Sequence, residues 1–277
     1  MGPFGVLARC LTVVHGAVQL LVPSASLLIT SIVLSIAVYL FTVNKSKIIS
    51  ILGIWLTPAL LLSIGAVAYF GLKSGFSTET IGSQSWEVFK NGFFQGYQTM
   101  DLLAAFFFST FVIQQLKGTS KDESSMLKVF LKSSVLGAGI LSLVYVALVT
   151  LGWAYAPQLA GVAPQEMLGQ IALNALGSFA APCVCIVVIL ACLTTAIALT
   201  SLFADFLRTE VSRNKIGHKT SLIVTLAIGI LVSTLQFSGI AKFLGPLLEM
   251  AYPALIALTI VNIVLKLRKK KAAAIEL

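Results

Sequence analysis

The chain is short of charge. Of its 277 residues only 10% are Asp, Glu, Lys or Arg, and it holds two histidines and ten acidic residues. A soluble domain is typically about 25% charged, so a water-facing globular protein is excluded. The scarcity of histidine and acid also removes most catalytic chemistry: no nucleophile and base stand together, and there is no Gly-rich phosphate loop. An enzyme is not expected. Cys10, Cys183, Cys185 and Cys192 all lie in apolar runs; Cys183 and Cys185 are two apart, which turns them to different helix faces, and no His accompanies them as a zinc set requires. They read as small hydrophobes.

What the chain has instead is long apolar runs. It is 58% hydrophobic, with a mean hydropathy of +0.99. A bilayer-crossing helix needs about 17 to 25 residues. Runs of that order lie near 5–22, 25–43, 48–72, 93–115, 129–154, 179–204, 220–238 and 246–266. The first is the weakest, being interrupted by Arg9 and His15; with Arg9 inside the run and no Ala-x-Ala-like site after it, it reads as a span rather than a signal peptide. The expected fold class is therefore an all-α polytopic membrane protein of about eight helices, a single transmembrane domain over residues 1–277.

Basic residues gather on the cytoplasmic side of membrane proteins. With both termini inside, sixteen of the 19 Lys and Arg fall on that side, and only Lys73, Lys90 and Lys242 fall outside. The net charge of +9 then reflects orientation and attraction of the basic tail, residues 267–277, to anionic lipid. No nucleic-acid partner is expected, because the basic stretches lack interleaved aromatics.

Two connections are more than simple loops. Residues 73–92 read as a long polar loop, a lid or a surface helix. In 155–178, the stretch from Gln165 to Leu176 spaces Met167, Leu168, Ile171, Ala172 and Leu176 as a short amphipathic helix lying on the outer surface. Glu249, in the outer part of the last span, either lines the outer vestibule or pairs with Lys242, pairing being the simpler reading, and Asp205 and Glu210 read as a solvated inner face. His15 reads as a hydrogen-bonded histidine rather than a proton carrier.

Two segments carry chemistry. Gly96-Tyr97-Gln98-Thr99-Met100-Asp101 puts a flexible backbone position, polar side chains and a carboxylate inside the fourth span. An acid at membrane depth costs about 2.5 to 3.5 kcal/mol on insertion scales. It is kept for a ligand at a broken helix, or it pairs with a neighbouring span along a continuous one. Phe106, Phe107, Phe108 and Phe111 read as packing. In the sixth span Ala191, Thr194 and Thr195 stand at i, i+3 and i+4, offering two hydroxyls and a carbonyl on one face. Such neutral oxygens suit a sodium ion; Ala and Thr also serve helix packing, and spacing alone favours packing.

Together the two segments resemble the bacterial branched-chain amino acid:cation symporters, carriers of leucine, isoleucine and valine. Weaker support comes from Gly2-Pro3-Phe4 leading to Arg9 and from Tyr252-Pro253. The resemblance implies a LeuT-like inverted repeat, with residues 1–72 as the last three helices of the first five-helix unit and 93–266 as the second. It implies uptake of branched-chain amino acids by alternating access across the cytoplasmic (inner) membrane, coupled to Na+ or H+. Gly96 to Asp101 would contact the amino acid, and the Ala191 carbonyl with the Thr194 and Thr195 hydroxyls would hold sodium. Members of this family carry two further spans before Gly2 and two after Leu267. The alternative expectation is thus a truncated or half-carrier, inactive unless a separate chain supplies the missing helices. Where relatives have a Thr-rich stretch ending in an acid, this chain reads Cys10-Leu11-Thr12-Val13-Val14-His15-Gly16.

Overall fold

A computed structural model describes residues 2–43, 57–73, 85–117, 123–177 and 180–273; they are helical almost throughout, with no strand among them. A π-helical turn, Gly2–Leu7, runs into α1, Ala8–Gln19. Then follow α2, Leu27–Thr42, α3, Thr57–Lys73, α4, Ser85–Tyr97, and α5, Asp101–Lys117. The remainder is α6, Glu123–Ala154, α7, Met167–Leu176, α8, Ala180–Phe206, α9, His218–Ser233, and α10, Gln236–Ala273. Among the described residues, three helices are long and apolar enough to cross a membrane: Ser125–Ala154, Cys185–Val211 and Gln236–Lys266. Leu27–Thr42, Thr57–Lys73 and His218–Ser233 are shorter apolar helices. The all-α membrane expectation is met.

The helices form two compact units, Met1–Thr80 with Leu136–Ile240, and Ile81–Val135 with Ala241–Leu277. In the first, α8 packs against α1, α2, α3, α7 and α9. The innermost stretch is nevertheless α1 with the end of the turn before it: Leu7, Ala8, Leu11, Val14 and Ala17 are at most 3% exposed. Small residues permit this close approach. A Cβ on Gly229 of α9 would stand 2.6 Å from Leu7 Cδ2, and one on Gly16 of α1 would stand 3.2 Å from the Gln165 carbonyl oxygen. Arg9 is accommodated with its guanidinium 5.2 Å from the Phe237 ring centroid, and His15 Nδ1 lies 3.5 Å from Thr30 Oγ1.

Between α2 and α9 the buried surface is hydroxylic. Ser31, Ser35 and Thr42 on one helix and Ser221, Thr225 and Ser233 on the other are all buried. Most donate to the preceding turn, as in Thr42 to the Val38 carbonyl at 2.6 Å and Thr225 to the Ser221 carbonyl at 2.7 Å, which satisfies the hydroxyl without water. Ser31 and Ser233 meet at 3.5 Å across the interface.

Two expectations are corrected here. The helix expected on the outer surface forms as α7, yet it packs on α3 and α8 with Ile171 and Ala172 buried; its apolar face is covered by protein. Asp205 is half-buried beside His218, with Nδ1 to Oδ1 at 3.6 Å, rather than on a freely solvated face; α8 continues past it through a π-helical turn, Leu207–Val211. Of the polar segment 73–92, read as a loop, a lid or a surface helix, residues 85–92 are helical, while 74–84 lie outside the described residues, as do 48–56 of the third run.

The second unit holds α4, α5, the start of α6 and most of α10. Its apolar side chains are largely uncovered: Trp86 is 72% exposed.

In the first unit the Tyr155 hydroxyl, buried, donates to the Gly71 carbonyl at 2.9 Å. Removing it as Tyr155→Phe strands that carbonyl and should cost about 1 kcal/mol, read as a lowered thermal midpoint of the purified protein in detergent.

Candidate functional site

Helix α4 ends at the fourth-span motif. Gln98 N donates to Gln95 O at 3.0 Å, Thr99 N to Gly96 O at 3.3 Å and Met100 N to Tyr97 O at 3.3 Å. These i to i+3 bonds tighten the last turn and consume its carbonyls; Gly96 O also accepts the Thr99 hydroxyl at 2.9 Å. Met100 then adopts φ 63°, the left-handed region, which costs a residue with a Cβ about 1 to 2 kcal/mol. Its side chain is 2% exposed, and that burial holds the conformation in place. The chain restarts as α5 at Asp101, with Ala104 N donating to Met100 O at 3.0 Å as the first bond of the new helix.

The fourth span is therefore broken, and the continuous-helix alternative fails. The backbone amides of residues 101–103 precede the first intrahelical bond, so they face the open end of α5, where the helix dipole is positive. Asp101, half-buried, places its carboxylate at that same end. Gln98 is half-buried against α10, a Cβ on Gly245 lying 3.7 Å from its Nε2. Tyr97 is half-buried, and Gly96 and Thr99 are exposed. Gly96 is helical and does not take positive φ; the flexible position expected there is found at Met100.

One face of α4 is a ladder of rings. Trp86 stacks on Phe89 at 5.8 Å, Phe89 on Phe93 at 6.3 Å, and Phe93 meets Tyr97 edge-on at 5.2 Å. The ladder closes on Tyr252 of α10, 4.9 Å from Tyr97 between ring centroids. Tyr252 is 1% exposed. Its hydroxyl lies by the Leu103 amide and near Asp101, and among the described residues its buried oxygen makes no geometrically sound hydrogen bond. Leaving such a group unsatisfied costs about 1 to 3 kcal/mol. In the sequence Tyr252 stands out only within the Tyr252-Pro253 pair that supports the resemblance. The signal that marks it is the Tyr-Pro pair, since Pro253 inside α10 removes the amide that would otherwise bond Glu249 O.

The second motif lies on α8, in the other unit, and is described there by itself. Thr194 Oγ1 donates to Ala191 O at 2.8 Å and Thr195 Oγ1 to the same oxygen at 3.0 Å. Three neutral oxygens thus stand together, Thr194 half-buried and Thr195 exposed, while Cys192, Leu193 and Ala196 face the core. A hard cation there would replace two internal hydrogen bonds with oxygen ligation. Among the described residues no cluster of His, Cys, Asp and Glu could hold a metal. Cys10, Cys185 and Cys192 are free and buried, and the Cys185 thiol donates to Ala17 O at 2.6 Å. Glu249 is exposed and, among the described residues, forms no ion pair with Lys242, correcting that expectation.

A family model described as branched-chain amino acid transport protein matches residues 1–277. The chain is similar to a Staphylococcus aureus (strain bovine RF122 / ET3-1) protein provisionally named as a branched-chain amino acid carrier protein, at 28% identity over 259 residues, 87% of this chain and 57% of the relative. It is also similar to the branched-chain amino acid permease BrnQ of Bacillus subtilis (strain 168), at 29% identity over 238 residues, 84% of this chain and 53% of the permease. The chain spans about half the length of the curated relatives it matches. No solved structure matches it significantly.

The left-handed break makes its own prediction. Met100→Gly and Met100→Ala lose the same buried contacts to within a methyl, but only glycine adopts φ 63° without strain. The glycine variant should be the more stable by about 1 kcal/mol, reversing the usual order of Ala over Gly, as measured by thermal unfolding of the two variants side by side.

Proposed function

The chain belongs to the branched-chain amino acid transport protein family, a family of carriers rather than enzymes, and from that premise we propose that it serves secondary active uptake of leucine, isoleucine and valine across the bacterial cytoplasmic membrane. The observation that carries this reading is the interruption between α4 and α5 at Met100, which places the Asp101 carboxylate at the amino end of α5, inside the span. A zwitterion needs both signs of partner, and a broken membrane helix supplies them near midplane. Residues Gly96 to Asp101 form the substrate site in this proposal, within a LeuT-like inverted repeat whose second unit is 93–266 and whose termini face the cytoplasm.

Sodium is the coupling ion we propose, held by Ala191 O, Thr194 Oγ1 and Thr195 Oγ1; a proton is the alternative driver. Moving down its gradient, the ion favours an outward-open state that captures the amino acid before the helices rock about it. One methylene in an apolar pocket discriminates by only about 1 to 3 kcal/mol, so the three substrates compete with one another. The alternative reading is a truncated or half-carrier, inactive unless a separate chain supplies further helices; the chain matches 57% and 53% of the length of two relatives.

Reconstituted into proteoliposomes, the protein should accumulate labelled leucine when an inward sodium gradient is imposed, and should not when potassium replaces sodium. Gradient-independent leucine equilibration by correctly inserted protein would sink the symport reading; uptake that appears only on co-expression with a complementary chain would select the half-carrier reading. Asp101→Asn should lower uptake at least about tenfold, the equivalent of one charged hydrogen bond, without loss of membrane insertion on immunoblot. Thr194→Val with Thr195→Val should raise the sodium concentration for half-maximal uptake several-fold; an unchanged sodium dependence would remove the assignment to α8.

A further inference from the structure

We propose that the turn joining α8 to α9 binds an anionic phospholipid on the cytoplasmic side, with the phosphate held by Arg213, Lys215 and Lys219 and an acyl chain laid along the outer stripe of α9. This rests on the orientation proposed above, which puts the turn on that side, and not on which solute is carried.

The charge at the turn is uneven. Between Asp205 and Lys219 the chain carries Arg208, Arg213, Lys215 and Lys219 against Asp205 and Glu210. Asp205 is already engaged, its Oδ1 3.6 Å from His218 Nδ1, a contact that ties the end of α8 to the start of α9. Arg213, Lys215 and Lys219 are exposed and, among the described residues, form no ion pair. The backbone beneath them is fixed. After the π-helical turn Leu207–Val211, Ser212 N donates to Leu207 O at 2.9 Å, Asn214 N to Arg208 O at 2.8 Å and Lys215 N to Ser212 O at 2.9 Å. The reversal is made by two left-handed residues in succession, Arg213 at φ 47° and Asn214 at φ 61°. The cations thus stand on a bonded turn and not on a loose tail. At a membrane surface each Lys or Arg strengthens the hold on anionic lipid about fivefold.

Beyond Lys219, toward the membrane midplane, the surface becomes apolar. Residues four apart on a helix share a face, and Lys219, Ile223, Ala227 and Leu231 are all exposed, Ile223 at 56% and Leu231 at 72%. The twelve steps from Lys219 to Leu231 cover about 18 Å at 1.5 Å per residue, the depth of one leaflet of hydrocarbon at about 15 Å. Phe206 and Val211, on the α8 side of the turn, are exposed as well. A free phosphate or an acidic peptide in water would use the cations and leave this stripe bare. A phospholipid covers both, because its negative charge sits at the end of a chain of the right length.

The test titrates the full chain in detergent with phosphatidylglycerol or phosphatidylcholine and reads bound lipid by native mass spectrometry. Wild type should bind phosphatidylglycerol at least about tenfold more tightly. In the combined variant Arg213→Gln, Lys215→Gln, Lys219→Gln that affinity should fall about a hundredfold while phosphatidylcholine binding holds. A variant of the basic tail, Lys269→Gln, Lys270→Gln, Lys271→Gln, should keep the wild-type preference. An unchanged preference in the turn variant, or its loss in the tail variant alone, would overturn the proposal. Glycerophosphoglycerol, the headgroup without acyl chains, should fail to displace the lipid at equal concentration; displacement would show an ion site and overturn the lipid assignment. The orientation is read separately from Lys215→Cys, which should react with a membrane-impermeant maleimide only after cells are opened. Labelling in intact cells would overturn the cytoplasmic placement itself, an outcome distinct from failure of the lipid titration.

Discussion

Peptide groups withdrawn from water must find partners inside the protein, and between α4 and α5 that demand meets a break set by one residue. Met100, held left-handed by its own burial, stops the α4 ladder and delays the start of the next by three amides. Were it helical, residues 101–103 would bond the carbonyls of 97–99 and the polar end of α5 would vanish into a continuous rod. The strain at one φ angle thus creates the open valences, the exposed dipole and the placement of Asp101 together. Such strain persists only where the surroundings over-determine it, and the buried thioether side chain is what does so here.

The sequence places this break near residues 95–101, where it is found, but does not single out the residue that makes it. Gly96 drew attention because glycine carries no Cβ, yet it stays helical, and the distorted residue is a methionine whose intrinsic preferences argue against the role. Local propensity is blind to a penalty that tertiary packing offsets. Tyr252 is marked in the sequence only by the proline after it, and its approach to Tyr97 of α4 is not legible there. Hydropathy misled in a related way about centrality. The first run, weakened by Arg9 and His15, contains the most enclosed helix of its unit, whereas the apolar window of Ser125–Ala154 has a hydropathy of 2.2 and is only 6% buried. Apolarity along a membrane helix reports compatibility with lipid; a helix sheathed by other helices is released from that requirement and can hold a guanidinium over a ring.

The same logic accounts for the serine and threonine content of the first unit. Close approach between α2 and α9 requires small side chains, and hydroxyls that bond their own preceding turn are small without being orphaned. The motif on α8 uses this device twice on one carbonyl, at Ala191. In the proposal that sodium binds there, the ion would compete with two hydrogen bonds already made, which would keep its hold weak enough to reverse.

At 32 residues, α6 extends about 48 Å at 1.5 Å per residue, well beyond a hydrocarbon core of about 30 Å. Lys128 and Lys132 lie within three turns of its amino end, where long side chains can reach phosphate while their stems remain in the acyl region. Acyl-chain length therefore becomes a mechanical variable for this protein: a thicker bilayer straightens α6 toward the normal, a thinner one inclines it. Because the Tyr155 to Gly71 bond fastens the segment immediately after α6 to the end of α3, that inclination is handed on to a second helix, making the lipid a participant in the fold.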